Sequence, residues 1–380
     1  MTDRAALSLD QAADSVSVTI EQRGAAGIVT LARPKKRNAL TLAMCKALAV
    51  AYPRLARDPI IYAVIVRSAC AGVFSAGADL GEVATLCDGD RDTARAVVGE
   101  AIRLCWLHEA FTKPTVSLVD GMAMGGGFGI SLHGTHRVAG EGYAFACPET
   151  GIGLVPAGGI CHMLARLPGA IGCYLALTGN PIRRADAFRL GLVTHCLPAD
   201  RFEAVQAHIA EADPVDLVLD PLHADPGPGD LAAREPVIAR CFSAASIEDI
   251  LARLDAESGA DATWAREAAA CLRRRSPLAL KVTHRLLAEA RALDLRGLLV
   301  LEHRILCGLM AAPGAGARLR ASPVDASGSV GWAPAGLDEV TAVMVREYFS
   351  DRAGPILALP VRAEMQGGAT QPAGRGRIGR

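Results

Sequence analysis

One glutamate of the chain has a setting that favours acid–base chemistry. Glu149 lies in the stretch Cys147-Pro-Glu-Thr-Gly-Ile-Gly-Leu-Val-Pro, where most neighbours are apolar residues, glycines or prolines. A carboxylate that loses its contact with water has a raised pKa, which suits a general acid or base near neutral pH. The same side chain could instead cap the following turn or pair with an arginine, and this stretch alone leaves both roles open.

A glycine run offers backbone N–H groups to a ligand. Residues 121–129 read Gly-Met-Ala-Met-Gly-Gly-Gly-Phe-Gly and follow an apolar segment at 115–119. Three consecutive glycines are costly inside a helix, so we expect them to serve a close approach. The first N–H groups of a helix have no intrahelical partner, and Gly126 N–H is the donor that we expect to face a ligand oxygen. The alternative is that the glycines only allow tight packing of a helix on a sheet.

A second turn of small residues could supply a partner for that donor. The segment Phe74-Ser-Ala-Gly-Ala-Asp-Leu follows the apolar run at 60–66, and Ala78 N–H is the candidate. Two such donors aimed at one developing oxyanion are typically worth about 2.7–4 kcal/mol each when removed singly. The segment could equally be an ordinary connection from a strand to a helix.

Several other motifs do not support a function. The glycines at 374, 376 and 379 have dinucleotide-binding spacing, but they lie in a basic tail without a preceding strand. Ser75 lacks the Gly-x-Ser-x-Gly setting of a serine hydrolase. The 11 cysteines contain no Cys-x-x-Cys and the 9 histidines no His-x-x-x-His, so no metal site is predicted.

The composition favours a globular protein with a small ligand. The 380 residues include 40 basic and 40 acidic side chains, so no overall field attracts nucleic acid or a membrane surface. Aromatic residues are only 4%, which leaves few faces for stacking bases. Scattered cysteines and the lack of a long apolar run lead us to expect a cytoplasmic protein without nucleic-acid or membrane partners.

Alternating apolar segments predict an α/β fold in the first half of the chain. The predicted elements are a hairpin over 16–31, a helix over 42–57 that Thr41 caps and Pro53 kinks or shortens, a strand over 60–66, a helix over 93–111, a strand over 115–119 and a helix over 126–133.

Changes in composition divide the chain into five parts. We expect a flexible N-terminus over 1–15, an α/β core over 16–200 and a linker rich in proline and glycine over 201–230. The Ala-, Leu-, Arg- and Glu-rich residues 231–350 predict a helical portion. Residues 351–380 are expected to be largely disordered.

Four motifs in a fixed order resemble the crotonase (enoyl-CoA hydratase/isomerase) superfamily. They are Arg33-Pro-Lys-Lys-Arg-Asn-Ala-Leu, Phe74-Ser-Ala-Gly-Ala-Asp, Gly121-Met-Ala-Met-Gly-Gly-Gly and Pro148-Glu-Thr-Gly-Ile-Gly-Leu. The resemblance implies a ββα superhelical core, here with a helical C-terminal extension, and an acyl-CoA thioester as the ligand. It implies no separate cofactor, because CoA is part of the substrate, and it makes a homo-oligomer possible.

The same resemblance assigns site residues. It places the oxyanion hole at Ala78 N–H and Gly126 N–H, and the catalytic group at Glu149. It also places Lys36 and Arg37 at the nucleotide end of CoA. The full set of substrate-binding residues that it implies is Lys36, Arg37, Ala76, Asp79, Gly125, Ala101 and Ala157.

The C-terminal half resembles one subgroup, the 3-hydroxyisobutyryl-CoA hydrolases, which are thioesterases of valine breakdown. The segments that carry this likeness are Cys241-Phe-Ser-Ala-Ala-Ser-Ile-Glu-Asp-Ile, Arg275-Ser-Pro-Leu-Ala-Leu-Lys-Val-Thr, Leu301-Glu-His-Arg and Trp332-Ala-Pro-Ala. The implied activity is hydrolysis of an acyl-CoA thioester, in which Glu149 activates water or attacks directly.

Two positions depart from the pattern of that subgroup. Ala157 stands eight positions after Glu149, where the hydrolases have an acid, and Ala101 replaces a glutamate in the preceding helix. Gly129 stands where hydratases carry their other catalytic glutamate. Three functions therefore stay open: a hydrolase, a proton-transfer enzyme of the enoyl-CoA hydratase/isomerase type, and a CoA-thioester-binding protein with weakened catalysis.

Overall fold

The strands form two sheets in a computed structural model, which describes residues 17–321, 331–350 and 357–361. The strands of these ranges are β1 (Val18–Arg23), β2 (Ala26–Leu31), β3 (Ala63–Ser68), β4 (Gly72–Ser75), β5 (Thr115–Val119), β6 (Gly121–Met124), β7 (His136–Ala139), β8 (Ala144–Ala146), β9 (Ile182–Arg183) and β10 (His195–Cys196).

The core repeats a ββα unit. One sheet has the order β1-β2-β3-β5-β7-β10, and the other has the order β4-β6-β8-β9. Three pairs of consecutive strands contribute one strand to each sheet: β3 with β4, β5 with β6, and β7 with β8. Within each sheet, the strands of successive pairs run parallel. The predicted hairpin is confirmed, since β1 and β2 pair antiparallel. The α/β fold with a ββα superhelix, expected from the motifs, is therefore confirmed.

Helices cover both sheets. In the described ranges they are α1 (Leu42–Arg57), α2 (Leu80–Asp88), α3 (Arg91–Glu109), α4 (Gly126–Leu132), α5 (Ile160–Leu164), α6 (Ile171–Thr178), α7 (Arg184–Arg189), α8 (Phe202–Ala210), α9 (Val215–Leu219), α10 (Glu235–Phe242), α11 (Ile247–Ala256), α12 (Ala262–Arg274), α13 (Pro277–Ala290), α14 (Leu295–Met310), α15 (Ala315–Ala321) and α16 (Ala342–Glu347). No single helix there has the length and apolarity to cross a membrane, and α14 with α15 passes that test only as a pair bent by 92°.

Helix α1 contains Pro53 but does not end there. Thr41 caps it as predicted, because its side chain accepts a hydrogen bond from Met44 N, and the helix continues to Arg57. The neighbouring Tyr52 is buried, and its hydroxyl bonds His108 Nδ1 at 2.7 Å. Burial of this face of α1 stabilises the helix enough to offset the backbone bond that proline removes.

Residues 201–230, predicted as a linker, instead contribute α8 and α9 to the core. Val205 and Ile209 of α8 are buried, as is Val218 of α9, and they pack under the six-stranded sheet against Ile28 and other strand residues. The apolar residues in this stretch have helical spacing, so they bury a face despite the prolines and glycines around them.

The chain ends fall mostly outside the described residues. The predictions of a flexible N-terminus over 1–15 and of a disordered tail over 351–380 lie there, except for residues 357–361. Within that short segment Leu359 is buried, and Pro360 O accepts a hydrogen bond from Trp106 Nε1 at 2.6 Å. Part of the predicted disordered tail therefore packs against α3.

Candidate active site

A cavity of about 220 Å³ opens where the four-stranded sheet ends. Its walls come mainly from apolar side chains, such as Leu80 of α2, Ile102 of α3 and Leu306 of α14. Glu82 and Glu149 are the only charged side chains among the described residues that line it. An apolar cavity with few polar groups is typical of a small-molecule site.

The ββα repeat brings three predicted site residues to this cavity. Ala78 follows β4, Gly126 follows β6 and Glu149 follows β8, and all three line the cavity. The three strands are parallel neighbours. Their carboxyl ends therefore meet at one edge of the sheet, which places segments far apart in sequence side by side.

The backbone N–H groups of Ala78 and Gly126 lie close together. A Cβ built on Gly126 would lie 3.8 Å from Ala78 N, and one built on Gly77 would lie 3.6 Å from Gly126 N. Neither N–H has a hydrogen-bond partner among the described residues. Backbone donors next to a cavity are usually paired within the protein, so two unpaired donors are available to a ligand.

Glycine is required in the first of these turns. Gly77 has a φ of +91°, and a Cβ there would lie 2.9 Å from Met124 O. Both the left-handed backbone and the close approach of β6 therefore exclude a side chain.

Asn38 holds the turn that carries Ala78, and the sequence prediction did not assign it a role. Asn38 is fully buried, and its side-chain Nδ2 donates to Phe74 O at 3.0 Å. Its backbone carbonyl accepts a hydrogen bond from Ser75 Oγ at 2.8 Å. Its backbone has a φ of +52°, which asparagine tolerates better than most residues. The signal was its position in the motif Arg33-Pro-Lys-Lys-Arg-Asn-Ala-Leu.

Asp79 does not line the cavity, although the resemblance implied that it binds substrate. Its Oδ1 accepts from the N–H groups at the start of α2, and its Oδ2 pairs with Arg33 at 2.6 Å. Burial alone would raise the pKa of Asp79, but the hydrogen bond and charge of Arg33, together with the N–H groups of Glu82 and Gly81, outweigh it and hold that pKa below its usual range. The carboxylate caps a helix and fixes the adjacent turn, so it is already satisfied by the protein.

The remaining substrate-binding predictions divide between the cavity and the surface. Ala76 and Gly125 line the cavity. Lys36 and Arg37 are exposed outside it, at the 3-10 helix Pro34–Lys36, and Arg37 O accepts a hydrogen bond from Ala76 N at 2.9 Å. This backbone hydrogen bond connects the segment that carries Lys36 and Arg37 to Ala76 in the cavity wall.

Glu149 enters the cavity from the 3-10 helix Pro148–Ile152. Its Oε1 lies against Gly125, where a Cβ would be only 2.5 Å away. Its Oε2 is buried and has no hydrogen-bond partner among the described residues. Burial raises the pKa of Glu149 to about 7, so the carboxyl can gain or lose a proton near neutral pH.

Ala101 and Ala157 both line the cavity. Their methyl groups stand where the hydrolase pattern has acids, so neither position supplies a second carboxylate. The other charged lining residue, Glu82, is engaged, because its Oε2 accepts from Leu42 N at 2.9 Å. Glu149 is therefore the carboxyl that remains available for chemistry in the described cavity.

Two thiols of the cavity wall are not nucleophiles at neutral pH. Cys45 and Cys105 line the cavity and are buried. Burial raises the pKa of Cys45 to about 12 and raises that of Cys105 well above its usual value. A nucleophilic cysteine needs a lowered pKa, so these side chains act as small apolar groups. No group of three or more His, Cys, Asp or Glu residues in the described ranges is arranged to hold a metal ion.

A second buried carboxyl, Glu302 of α14, lies behind the wall and was not singled out from the sequence. It has 0% exposure, and its Oε2 accepts from Gly159 N at 2.8 Å. The available signal was its spacing: Glu302 lies on the apolar stripe of α14, between Leu298 and Ile305.

Residues 26–349 match the enoyl-CoA hydratase/isomerase family. The chain belongs to this family. Its relatives include a protein named 3-hydroxyisobutyryl-CoA hydrolase, mitochondrial, from Rattus norvegicus, which is 33% identical over 90% of this chain and 91% of its own length. The Arabidopsis thaliana protein named 3-hydroxyisobutyryl-CoA hydrolase 1 is 31% identical over 90% of this chain and 93% of its own length.

Solved structures of the family have the same fold. A carnitinyl-CoA dehydratase from Mycobacterium thermoresistibile is 32% identical with a TM-score of 0.83, covering 90% of this chain and 99% of its own. An enoyl-CoA hydratase from Rhodobacter sphaeroides is 33% identical with a TM-score of 0.81, covering 88% of this chain and 97% of its own. Acyl-CoA compounds are therefore the ligand class that the family supports.

The prediction of a cytoplasmic location is wrong by this comparison. The rat relative and its human counterpart, which is 32% identical, are both named mitochondrial. Reduced cysteines are compatible with more than one compartment, so they did not distinguish these locations.

Proposed function

We propose that this chain is an acyl-CoA thioester hydrolase of the 3-hydroxyisobutyryl-CoA hydrolase type, acting in valine breakdown. Relatives with that name share 31–33% identity over about nine-tenths of both chains, including the C-terminal helices. The reaction needs no separate cofactor, because CoA arrives as part of the substrate.

One arrangement carries the proposal: the unpaired N–H groups of Ala78 and Gly126 share a cavity with Glu149. In the proposed complex the thioester carbonyl oxygen accepts hydrogen bonds from both N–H groups. Negative charge that develops on this oxygen during attack is then stabilised by donors already in place. Such preorganised donors lower the barrier most when water is excluded, as apolar walls do here.

Glu149 supplies the proton transfers in this mechanism. Its ionised carboxylate takes a proton from water, and the water oxygen bonds to the carbonyl carbon to form a tetrahedral oxyanion. The C–S bond then breaks, the carbonyl re-forms, and the departing CoA sulfur receives the proton from Glu149. The products are a free carboxylic acid and CoA. Direct attack by Glu149 on the carbonyl carbon would instead give an anhydride that water then hydrolyses to the same products.

In this proposal Lys36 and Arg37 bind the nucleotide end of CoA. Their side chains are exposed, and the backbone bond from Ala76 to Arg37 joins their segment to the cavity rim. Phosphates carry negative charge that lysine and arginine bind without burial. The acyl end would then lie in the apolar cavity.

The test is release of free CoA from 3-hydroxyisobutyryl-CoA and other short acyl-CoAs, measured with a thiol reagent. Glu149→Gln should lower kcat by a factor on the order of 10²–10⁴, as expected for loss of a general base. Glu82→Gln is the matched control, because this other cavity carboxyl is already occupied by Leu42 N–H and should tolerate the change. A wild-type protein that binds these thioesters without releasing CoA would rule the proposal out.

A second candidate is an enoyl-CoA isomerase, which the cavity favours in one respect. Ala101 and Ala157 leave Glu149 as the one available carboxyl of the described lining, and a single glutamate beside two N–H donors is enough to move a proton through an enolate. Movement of the double bond in a 3-enoyl-CoA, followed by absorbance and without CoA release, would favour this function over hydrolysis.

A further inference from the structure

Glu302 lies directly behind the wall of the cavity. It is on the buried side of α14, and Leu306 and Met310, one and two turns further along the same helix face, line the cavity. The side chain is completely buried although glutamate is rarely so. A position this costly for a carboxyl calls for a role that a leucine could not fill.

One oxygen of Glu302 holds a turn of the cavity wall. Ala157 and Gly158 line the cavity, and Gly158 and Gly159 have left-handed φ angles of +84° and +82°. Gly159 N–H donates to Glu302 Oε2 at 2.8 Å. On the other side of the turn, Gly158 O accepts from His133 Nε2 at 2.6 Å. Glu302 and His133 therefore fix both polar groups of a turn that glycine alone can form.

The other oxygen of Glu302 is unsatisfied. Oε1 is buried without a hydrogen-bond partner, and no cation acts on Glu302 among the described residues. An ionised carboxylate in this place would be an uncompensated buried charge. Burial, with a smaller contribution from the charge of Glu149, raises the pKa of Glu302 to about 8, although the N–H groups of Gly159 and Gly158 lower it.

The titratable groups that interact electrostatically with Glu302 carry no positive charge at neutral pH. They are the thiols of Cys105, Cys147 and Cys161, whose pKa values burial raises, and the carboxyl of Glu149. Burial lowers the pKa of His133 to about 4, so its ring is neutral and its Nε2 carries the proton that Gly158 O accepts. The N–H groups of Gly159 and Gly158 favour the ionised form of Glu302, but burial outweighs them.

We propose that Glu302 is a positioning residue of the site, which in its neutral form holds the turn at Ala157–Gly159 and whose ionisation switches the site off. This inference rests on the proposed hydrolysis. The reaction places negative charge on the substrate oxygen, and a second negative charge behind the same wall, screened poorly by apolar surroundings, opposes that step. Neutral Glu302 keeps the turn in place without this repulsion.

The pH dependence of kcat/KM for CoA release tests the proposal. The wild-type profile should rise near pH 7 as Glu149 ionises and fall near pH 8 as Glu302 ionises. Glu302→Gln keeps an oxygen for Gly159 N–H but cannot ionise, so it should keep the rising limb and lose the falling one. Glu302→Met removes the hydrogen bond as well and should raise KM, because the turn loses its anchor. Asp186→Asn is the control, since Asp186 is also buried and bonded to backbone N–H groups but lies outside the cavity.

The possible outcomes distinguish failure of the role proposed for Glu302 from failure of the hydrolase proposal. A falling limb that persists unchanged in Glu302→Gln overturns the role of Glu302 and leaves the hydrolase proposal intact. Absence of CoA release from the wild type at every pH overturns the hydrolase proposal instead. Infrared titration of Glu149→Gln then tests Glu302 alone: a buried carboxyl that is protonated at pH 6 and loses its proton by about pH 8 supports the proposal, because the variant lacks only the small contribution of the Glu149 charge. A carboxyl already ionised at pH 6 overturns it, even if Glu302→Gln does not fold.

Discussion

Glu149 Oε1 lies against the Cα of Gly125, so closely that a Cβ on Gly125 would be 2.5 Å from this oxygen. Gly125 has a φ of +47° and is the residue just before α4. The glycine run therefore serves two purposes at once. It leaves Gly126 N–H open, and it makes room for the carboxyl that faces the same cavity.

Gly125→Ala should disable the site through this contact. The new methyl group must displace the Glu149 carboxyl, and a misplacement of about 1 Å can lower a rate by roughly 10²-fold. The measurement is kcat for CoA release. Gly72→Ala is the matched control, because Gly72 shares a left-handed φ of +70° but has open space around its Cα. Equal losses in both variants would mean that backbone strain, and not the contact with Glu149, causes the effect.

Glu149→Gln should change stability in a pH-dependent direction. The folded-state pKa of Glu149 is about 7 against an ordinary value of 4.5, so folding favours the protonated form. That stabilisation is complete below about pH 4.5 and is lost as the pH rises through 7. The melting temperature of the variant, relative to wild type, should therefore be higher at pH 8 than at pH 5. A difference that stays constant across this range would contradict the raised pKa.

Ala157→Asp should shift the pH profile, because it adds a carboxyl to the wall that Glu149 faces. A further negative charge nearby raises the pKa of Glu149, so the rising limb of kcat/KM should move to higher pH.

The double variant Ala101→Glu with Ala157→Asp restores both acids of the hydrolase pattern. We expect the wild type to release CoA already. Activity that appears only in the double variant would instead indicate an acyl-CoA-binding protein.

Asn38→Ala should weaken both the fold and the site. It removes the donor to Phe74 O and leaves that buried carbonyl unsatisfied, a loss of about 1–3 kcal/mol in the free energy of unfolding. Because Asn38 also holds the turn with Ala78, KM for the thioester should rise. Asn180→Ala is the control, since Asn180 donates to Tyr174 Oη outside the cavity. Denaturant unfolding and steady-state kinetics measure the two effects, and an unchanged KM in Asn38→Ala would separate Asn38 from the site.

Sequence patterns correctly predicted the elements that depend only on residues close together in the chain. The hairpin of β1 and β2 follows from alternating residues around a glycine turn, and the start of α1 follows from the Thr41 cap. Residues 201–230 were misjudged as a linker because burial against distant elements outweighed a local preference for breaking a helix, whereas α1 has its predicted bounds, 42–57, with Pro53 inside it. A proline or glycine in the sequence indicates how unfavourable a helix is for the backbone at that position. It does not indicate how much apolar surface the helix buries, and that burial can offset the cost.

The order of motifs by itself determined the family, the α/β class and the residues Ala78, Gly126 and Glu149 as candidates. Only the tertiary structure decided that these three share one cavity, that Asp79 is held by Arg33 and the start of α2, and that Glu302 lies behind the wall. Motifs record which residue types a site needs along the chain. Burial and unsatisfied hydrogen-bonding groups depend on which segments the ββα repeat and α14 bring together, and those contacts join residues far apart in sequence.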